Sequence, residues 1–319
     1  MSRRKLLGLS AAGVTTLSIG GCAYSMMRPI SKLAAARASL PPVSAKVSQR
    51  ITVHMFQTGW VAVKEQHRTY SGIEALRIPA IMGSRSWTEW MPVTAFAIEH
   101  PEGLFMVDTG ETSKIADPEY TKCDAVTGMF YQRNLQFEVP EKEQIGAQMR
   151  LAGLEPNRVS KVVMTHLHSD HMGGMGTFEK AQFFVSETAR LGHAGALMCR
   201  IPQSLNIQST PYGERQAGVF NQSSALTFDG TISIIPTSGH ASGHQSVLIE
   251  DEGRSICIAG DAAFSLAQIE SGEIGGIVES TTDARESSSK LREQYTKLGT
   301  IMLPTHDPGN AKRLGIIAI

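Results

Sequence analysis

The chain has 319 residues, 41% of them hydrophobic, and its 30 lysines and arginines balance 30 aspartates and glutamates. This length and composition allow a large hydrophobic core. The balanced charge, with no long run of either sign, argues against a nucleic acid or another polyanion as partner. A small neutral or weakly charged substrate is the better prediction.

The N-terminus has the composition of an export signal. Arg3 and Arg4 form a twin arginine, and an apolar stretch follows as far as Ile19. Residues 20–22, Gly-Gly-Cys, resemble the cleavage box of bacterial lipoproteins, in which the cysteine is lipidated. An uncleaved membrane helix is the alternative, but the apolar stretch is shorter than the ~20 residues that such a helix needs.

These features divide the chain into three parts. We predict a signal peptide over residues 1–21, a lipid-anchored tether that starts at Cys22 and runs to residue 50, and a catalytic domain over residues 51–319. The protein would then be exported to the periplasm or the cell surface and held at a membrane. Cys123, Cys199 and Cys257 remain, so at most one disulfide can form within the mature chain.

Strand and helix patterns alternate along the catalytic domain. Apolar runs predict a hairpin of two strands, then four further strands, and helical spacing predicts two helices. The strands are 93–99, 104–108, 161–165, 231–236, 255–259 and 301–303, and the helices are 141–154 and 283–298.

The segment from His166 to His171 reads His-Leu-His-Ser-Asp-His, which places four potential metal ligands, His166, His168, Asp170 and His171, in six residues. In extended backbone, alternate side chains point the same way, so the first two histidines can hold one ion together. A lone pair of this kind is usually an ordinary pair of surface or core histidines. Here, however, His240, Asp261 and His306 follow three later strand-like runs, so the ligands predict a two-metal site built on loops.

This ordered set closely resembles the metallo-β-lactamase-fold hydrolases over roughly residues 51–310. The resemblance implies a four-layer αβ/βα sandwich and one catalytic domain. It also implies that His166, His168 and His240 bind one ion, that Asp170, His171 and His306 bind the other, and that Asp261 bridges both. Asp108, in Val-Asp-Thr-Gly, would support the metal loop without being a ligand.

The resemblance further implies hydrolysis through a hydroxide that bridges two metal ions. Imidazole and carboxylate ligands favour zinc and also tolerate manganese, cobalt or iron. Asp170 is the predicted catalytic acid and base, because it would orient the hydroxide and carry a proton to the leaving group. Di-iron relatives usually have Glu at the position of His168, which favours a hydrolase here.

Within the superfamily, the segment Gly239–Ser246 looks most like the N-acyl-homoserine lactonases, which open the lactone of quorum-sensing signals. Those enzymes have a substrate-binding tyrosine where this chain has Phe264. Tyr131, Tyr212 and Ser265 are candidates to supply the missing hydroxyl group. Trp87 and Trp90 could form an apolar wall of the substrate pocket, although ordinary packing explains them equally well.

Other functions stay open. A thioesterase or an organophosphate hydrolase of the same fold would use the same ligands, whereas Asp261 argues against a true β-lactamase. A surface lipoprotein that binds metal without catalysis is the alternative from another class. The irregular segment 192–220 could cap the pocket or mediate a homodimer. His54, His67, His100 and His193 have no motif around them and are expected to be exposed or satisfied locally.

Overall fold

The computed structural model describes residues 33–36 and 38–317. The predicted signal peptide, Cys22 and the first part of the predicted tether lie outside these residues. Among the described residues, no helix combines the length and the apolar character that a membrane crossing requires.

Two β-sheets form the centre of the fold. The larger sheet has eight strands in the order β1-β2-β3-β4-β6-β7-β8, with β5 paired to β2, and the smaller has the order β13-β12-β11-β10-β9. The strands of the larger sheet are β1 Val43–Lys46, β2 Thr52–Val63, β3 Met91–His100, β4 Gly103–Val107, β5 Leu135–Glu138, β6 Val159–Val163, β7 Gln182–Val185 and β8 Asn206–Ser209. Those of the smaller sheet are β9 Ser224–Ala225, β10 Ile232–Pro236, β11 Gln245–Asp251, β12 Arg254–Gly260 and β13 Ile301–Pro304.

Helices flank both sheets. The α-helices are α1 Glu65–Arg68, α2 Arg77–Gly83, α3 Pro118–Thr121, α4 Ala125–Asn134, α5 Ile145–Leu151, α6 Ser169–Met172, α7 Glu187–Arg190, α8 Leu266–Ser271, α9 Thr281–Leu298 and α10 Asn310–Ile317. Short 3-10 helices lie at Glu74–Leu76, Ser113–Ala116, Glu141–Glu143, Pro156–Arg158, Met175–Phe178 and Met198–Arg200.

Side-chain alternation explains the layers. In β3, Phe96 and Ile98 point into a core shared with Ile234 and Ile258 of the second sheet, so the two sheets pack face to face. Ala95 and Ala97, on the other face of β3, pack with residues of α5 and its neighbours. On the far side of the second sheet, residues of α8 and α9 form a third core. The order helix, sheet, sheet, helix confirms the predicted αβ/βα sandwich.

The domain begins earlier than residue 51, so the predicted boundary is wrong. Val43–Lys46 pairs antiparallel with β2, and Ala45 and Val47 are fully buried between the sheets. Further upstream, the backbone N–H of Leu33 donates to Gln136 and that of Ala36 donates to Glu138. The described residues from 33 onward therefore pack on the domain and do not form a free tether.

Most predicted elements are confirmed, but the helix over residues 141–154 is shorter. Gln144 has extended backbone, with ψ of 151°, which separates a 3-10 turn from α5. The helix predicted at residues 283–298 begins two residues earlier, since Ser280 caps it by accepting a hydrogen bond from the backbone N–H of Asp283.

Candidate metal centre

The structure brings all seven predicted ligands to one edge of the sandwich. Four of them follow β6, and the others follow β10, β12 and β13. Their nitrogen and oxygen atoms form overlapping groups in which every ligand atom lies within 4.8 Å of the others in its group. The strand ends therefore position side chains that are distant in sequence. The groups are His166, His168 and His240; His166, His171 and Asp261; and Asp170, His171 and His306.

Three histidines form the first trio. Nδ1 of His168 lies 2.8 Å from Nε2 of His166 and 3.0 Å from Nε2 of His240. The opposite nitrogen of His168 donates to the carbonyl of Ala194, at 3.0 Å. The opposite nitrogen of His240 likewise donates to the carbonyl of Ile277, at 3.2 Å. These bonds leave the ring lone pairs facing one another, which is the arrangement that a metal ion requires.

Asp170, His171 and His306 form the second trio. Nε2 of His306 lies 3.4 Å from Oδ2 of Asp170, and Nε2 of His171 lies 3.8 Å from Oδ1 of Asp170. Nδ1 of His306 donates to the carbonyl of Pro92, and Nδ1 of His171 donates to Asp108. Each imidazole is thus held by the nitrogen that faces away from the cluster.

Asp261 lies between the trios. Its Oδ2 is 3.6 Å from Nε2 of His240 and 3.2 Å from Nε2 of His306, and its Oδ1 is 3.3 Å from Nε2 of His171. The carboxylate therefore contacts both trios, as the predicted bridging role requires.

The turn before Asp261 depends on a glycine. Gly260 has a φ of +58°, and a side chain there would place a Cβ 2.6 Å from Nε2 of His244. That nitrogen of His244 accepts a hydrogen bond from the backbone N–H of Asp261, and its Nδ1 bonds to the hydroxyl of Thr237. His244 therefore fixes the backbone of Asp261.

The pKa values of the histidines differ between the two trios. Burial lowers the pKa of His166 and His168 well below that of an ordinary histidine, so both rings are neutral. Burial also opposes charge on His171, but the carboxylates of Asp261 and Asp108 raise its pKa well above the ordinary value. Neutral imidazoles on one side and carboxylates on the other provide the donors that a divalent ion prefers.

Two buried atoms indicate that a metal fits. Nε2 of His171 and Oδ1 of Asp261 have no hydrogen-bond partner among the described residues. Buried polar atoms without partners are rare in folded proteins, and both of these face the space between the trios. The donor set suits zinc, and manganese, cobalt or iron would also be accepted.

Asp108 supports the cluster from behind. Its Oδ2 accepts from Nδ1 of His171 at 2.8 Å, while Oδ1 accepts from the backbone N–H of Thr165 at 2.7 Å. Asp108 has a φ of +57°, a conformation that Asp and Asn tolerate best. It is not among the grouped ligands.

Replacing Asp108 with Asn is expected to weaken metal binding about 10–100-fold. If the Asn amide turns its NH₂ toward His171, Nδ1 of His171 must accept the hydrogen bond and its Nε2 then carries the proton. If the amide turns the other way, its NH₂ faces the backbone N–H of Thr165, which is also a donor. Both outcomes impair the ligand, while the backbone conformation is kept. Competition against a zinc indicator measures the affinity, and an unchanged affinity would contradict this role.

Two further residues, His193 and Glu279, hold the loops that carry the candidate ligands, and this role was not predicted from the sequence. Nε2 of His193 accepts from the backbone N–H of Leu167 at 3.0 Å. Glu279 accepts from the N–H groups of Ala194 and Ser242, both at 2.6 Å. These contacts join segments remote in sequence, so no local pattern could have indicated them.

The ligand order and the fold match a known superfamily. The sequence profile of the metallo-beta-lactamase superfamily matches residues 88–306. The chain belongs to the metallo-beta-lactamase superfamily. It is a hydrolase of that superfamily, as predicted.

Curated relatives of this metallo-beta-lactamase superfamily member are N-acyl homoserine lactonases. AttM of Azorhizobium caulinodans is 28% identical over 223 residues, covering 68% of this chain and 82% of the relative. AiiA of Bacillus thuringiensis subsp. kurstaki is 27% identical over 229 residues, with the same coverage.

Solved structures share the fold. An N-acyl homoserine lactone hydrolase with the product N-hexanoyl-L-homoserine at its catalytic metal centre has a TM-score of 0.65 and 20% identity, covering 86% of this chain and 96% of that one. The dizinc quorum-quenching lactonase AidC has a TM-score of 0.58 and 12% identity, covering 84% and 91%.

A cavity of about 420 Å³ opens onto the metal centre of this superfamily member. His168, Asp170, His240, Asp261 and His306 lie in its wall. The remaining wall is mainly apolar and includes Val61, Val63, Ile78, Val126, Phe130, Leu135, Phe264 and Ile277. The cavity can therefore hold an apolar group next to the ligands.

Trp87 and Trp90 do not line this cavity, so their predicted role is wrong. The indole of Trp90 donates to the carbonyl of Ala34, and the ring of Trp87 lies 3.8 Å from the ammonium of Lys64. Trp90 is thus held by the N-terminal segment and Trp87 by the residue that follows β2, and these contacts between distant segments could not be derived from composition. Phe264, by contrast, lies in the wall.

Only one of the three hydroxyl candidates lies at the cavity. Tyr131 lines it, donates to the carbonyl of Gly195 at 2.7 Å and accepts from the N–H of Ser169. Tyr212 donates to Gln245, and Ser265 caps α8. Neither of these two is in the cavity wall.

A disulfide ties two cavity walls together. Cys123 precedes α4 and bonds to Cys199, a few residues after Ala194 and Gly195, and both α4 and these two residues contribute to the cavity wall. Cys257 is free and buried. The chain between the bonded cysteines is long, with a separation of 76 residues.

The double substitution Cys123→Ser and Cys199→Ser is expected to lower the free energy of unfolding by about 2–4 kcal/mol, because the unfolded chain regains its freedom. Denaturant titration measures this change. A reductant should destabilise the wild-type protein and leave the double variant unaffected. Equal stability of the two proteins without reductant would contradict the prediction.

Proposed function

We propose that this chain is a dinuclear zinc hydrolase that opens the lactone ring of N-acyl homoserine lactones. The observation that carries the proposal is the pair of ligand trios, joined by Asp261, at the wall of an apolar cavity. The lactonase relatives support the choice of substrate. When bound, two zinc ions would generate a nucleophile from water at neutral pH and polarise the lactone carbonyl.

The chain's own residues have separate tasks in this proposal. His166, His168 and His240 would hold one ion, and His171 and His306 would hold the other with Asp170. Asp170 is buried, lines the cavity and can also carry a proton on its carboxylate to the departing ring oxygen. Apolar residues of the wall would take the acyl chain and exclude water.

Phe264 places a ring, and no hydroxyl group, beside the ligands. It stacks on His306 at 5.5 Å between ring centroids and lies edge-on to His240 at 5.8 Å. Tyr131 contributes a hydroxyl group to the cavity wall, but this group donates to the carbonyl of Gly195 and so holds the neighbouring loop.

Turnover by the purified, zinc-loaded protein on a substrate panel tests the proposal. The panel contains acyl-homoserine lactones, aliphatic lactones, thioesters, aryl phosphotriesters and nitrocefin. Ring opening of the acyl-homoserine lactones is the expected result. Turnover of a phosphotriester or thioester, with no turnover of any lactone, would replace the proposal by an organophosphate hydrolase or a thioesterase. Two bound ions without any turnover would favour a metal-binding lipoprotein.

We also propose that the protein is exported and held at a membrane by lipidated Cys22, in the periplasm or at the cell surface. The twin arginine and the lipoprotein-like box support this location, and a disulfide suits an oxidising compartment. Labelling with a radioactive fatty acid, lost in Cys22→Ser, tests the anchor. A homodimer stays a prediction that light scattering can test.

A further inference from the structure

His67 is a polar side chain of the cavity wall that takes no part in the ligand trios. It lies in α1, is only 7% exposed and lines the cavity, contrary to the expectation that it is satisfied locally. Its Nδ1 is buried and has no hydrogen-bond partner among the described residues. Because buried polar atoms nearly always have a partner, an orphaned nitrogen in a cavity wall indicates that a ligand atom completes the bond.

Backbone hydrogen bonds hold the segment that carries His67. The N–H of Ile277 donates to the carbonyl of His67 at 2.8 Å, and the N–H of Gly276 donates to that of Arg68 at 3.1 Å. A side chain at Gly276 would place a Cβ 2.0 Å from the carbonyl oxygen of Gln66, so the two segments touch. The main chain that carries His67 is therefore held in place before a ligand binds.

The His67 ring is neutral at physiological pH. Burial, with a smaller contribution from the nearby His240 ring, lowers its pKa to about 3. A neutral imidazole has one N–H donor and one acceptor nitrogen. It can therefore bond to either the carbonyl or the N–H of an amide.

His67 lies next to Phe264, which in turn contacts two of the ligands. Its ring centroid is 6.3 Å from that of Phe264, and Phe264 contacts His240 and His306. A lactone whose carbonyl lies at the trios would direct toward His67 the group on the ring carbon next to that carbonyl. In an N-acyl homoserine lactone, that group is the amide that joins the ring to the acyl chain.

We propose that His67 positions the substrate by a hydrogen bond to this amide and so selects amide-bearing lactones over simple ones. The proposal rests on the proposed lactonase function. His67 does not touch the bond that is cleaved, so its effect is expected mainly in KM.

The test compares N-hexanoyl-homoserine lactone with an aliphatic γ-lactone of similar length that has no amide. His67→Phe keeps a ring and removes both nitrogens. It is expected to lower kcat/KM for the amide substrate about 10–100-fold, mainly through KM, and to leave the aliphatic lactone close to wild type. His67→Asn places a polar nitrogen near Nδ1, and His67→Gln places one near Nε2, so at least one of them should recover much of the loss.

His54→Phe is the matched control. His54 is also buried, but it bonds to Ser44 and Glu99 outside the cavity. Its substitution should leave the ratio of the two kcat/KM values unchanged. An unchanged amide substrate in His67→Phe, or an equal loss on both lactones, would overturn the proposal.

An NMR titration separates this proposal from the lactonase proposal. The ring nitrogens of His67 are assigned in ¹⁵N-histidine-labelled, zinc-loaded protein by their absence in His67→Phe. Addition of the ring-opened compound N-hexanoyl-L-homoserine should shift them, whether or not the protein turns over lactones. A wild-type protein that opens no lactone refutes the proposed function, whereas unshifted His67 signals with bound ligand refute the positioning role.

Discussion

Asp170→Asn is expected to reduce lactone turnover about 10²–10⁴-fold while the protein stays folded. The carboxylate lies 3.4 Å from Nε2 of His306 and faces the cavity, where it can bind an ion and accept or donate a proton. An Asn amide has nearly the same size but cannot carry that proton. Steady-state kinetics and circular dichroism of the purified variant measure the two effects.

Asp251→Asn is the control for this substitution. Asp251 pairs with Arg50 at 2.9 Å, and neither residue lies in the cavity wall. Its turnover should equal that of the wild type. Metal content of Asp170→Asn shows whether the loss comes from a missing ion or from the missing proton carrier, and wild-type turnover in that variant would contradict both roles.

Removal of metal by a chelator is expected to lower the melting temperature by at least ~10 °C. Free zinc at 1,000 times its dissociation constant stabilises a folded protein by about 4 kcal/mol for each site. One kcal/mol corresponds to about 2–4 °C for a domain of this size. Scanning calorimetry of the chelated and reloaded protein measures the change.

The stabilisation by zinc should grow as the pH rises. Burial opposes charge on His306, but Asp261 and Asp170 raise its pKa, as the carboxylates do for His171. In the metal-free chain, these raised pKa values contribute stability that is complete below the ordinary value near 6.5 and is lost as the pH rises through the raised values. Zinc must displace the same protons, so its binding strengthens over that range.

The double variant His168→Ala and Asp261→Ala is the control for the calorimetry. It lacks one ligand of the first trio and the bridge but keeps the second trio, so chelation should lower its melting temperature less than that of the wild type. A wild-type protein that melts at the same temperature with and without zinc would contradict a buried metal centre.

The seven candidate ligands could be predicted from the sequence because their signal is local. His166, His168, Asp170 and His171 lie within one loop, and each remaining ligand follows an apolar strand. Strands of this kind end at one edge of a layered fold, so the sequence alone indicated that the seven side chains would lie close together.

The cavity wall could not be predicted in the same way. His67 reaches it only because α1 packs on residues 275–278, and Trp90 misses it because its indole bonds to Ala34. Both outcomes depend on contacts between distant segments. The four-residue strand β1 was missed because it is too short to show a pattern, and its burial comes from the second sheet.

The metal content of the active protein tests the central claim most directly. Metal-free protein is titrated with zinc while N-hexanoyl-homoserine lactone turnover and bound zinc per chain are followed together. Two ions per chain, with full turnover only after the second is bound, is the predicted result. Full turnover with one ion, or with none, would contradict a dinuclear centre joined by Asp261.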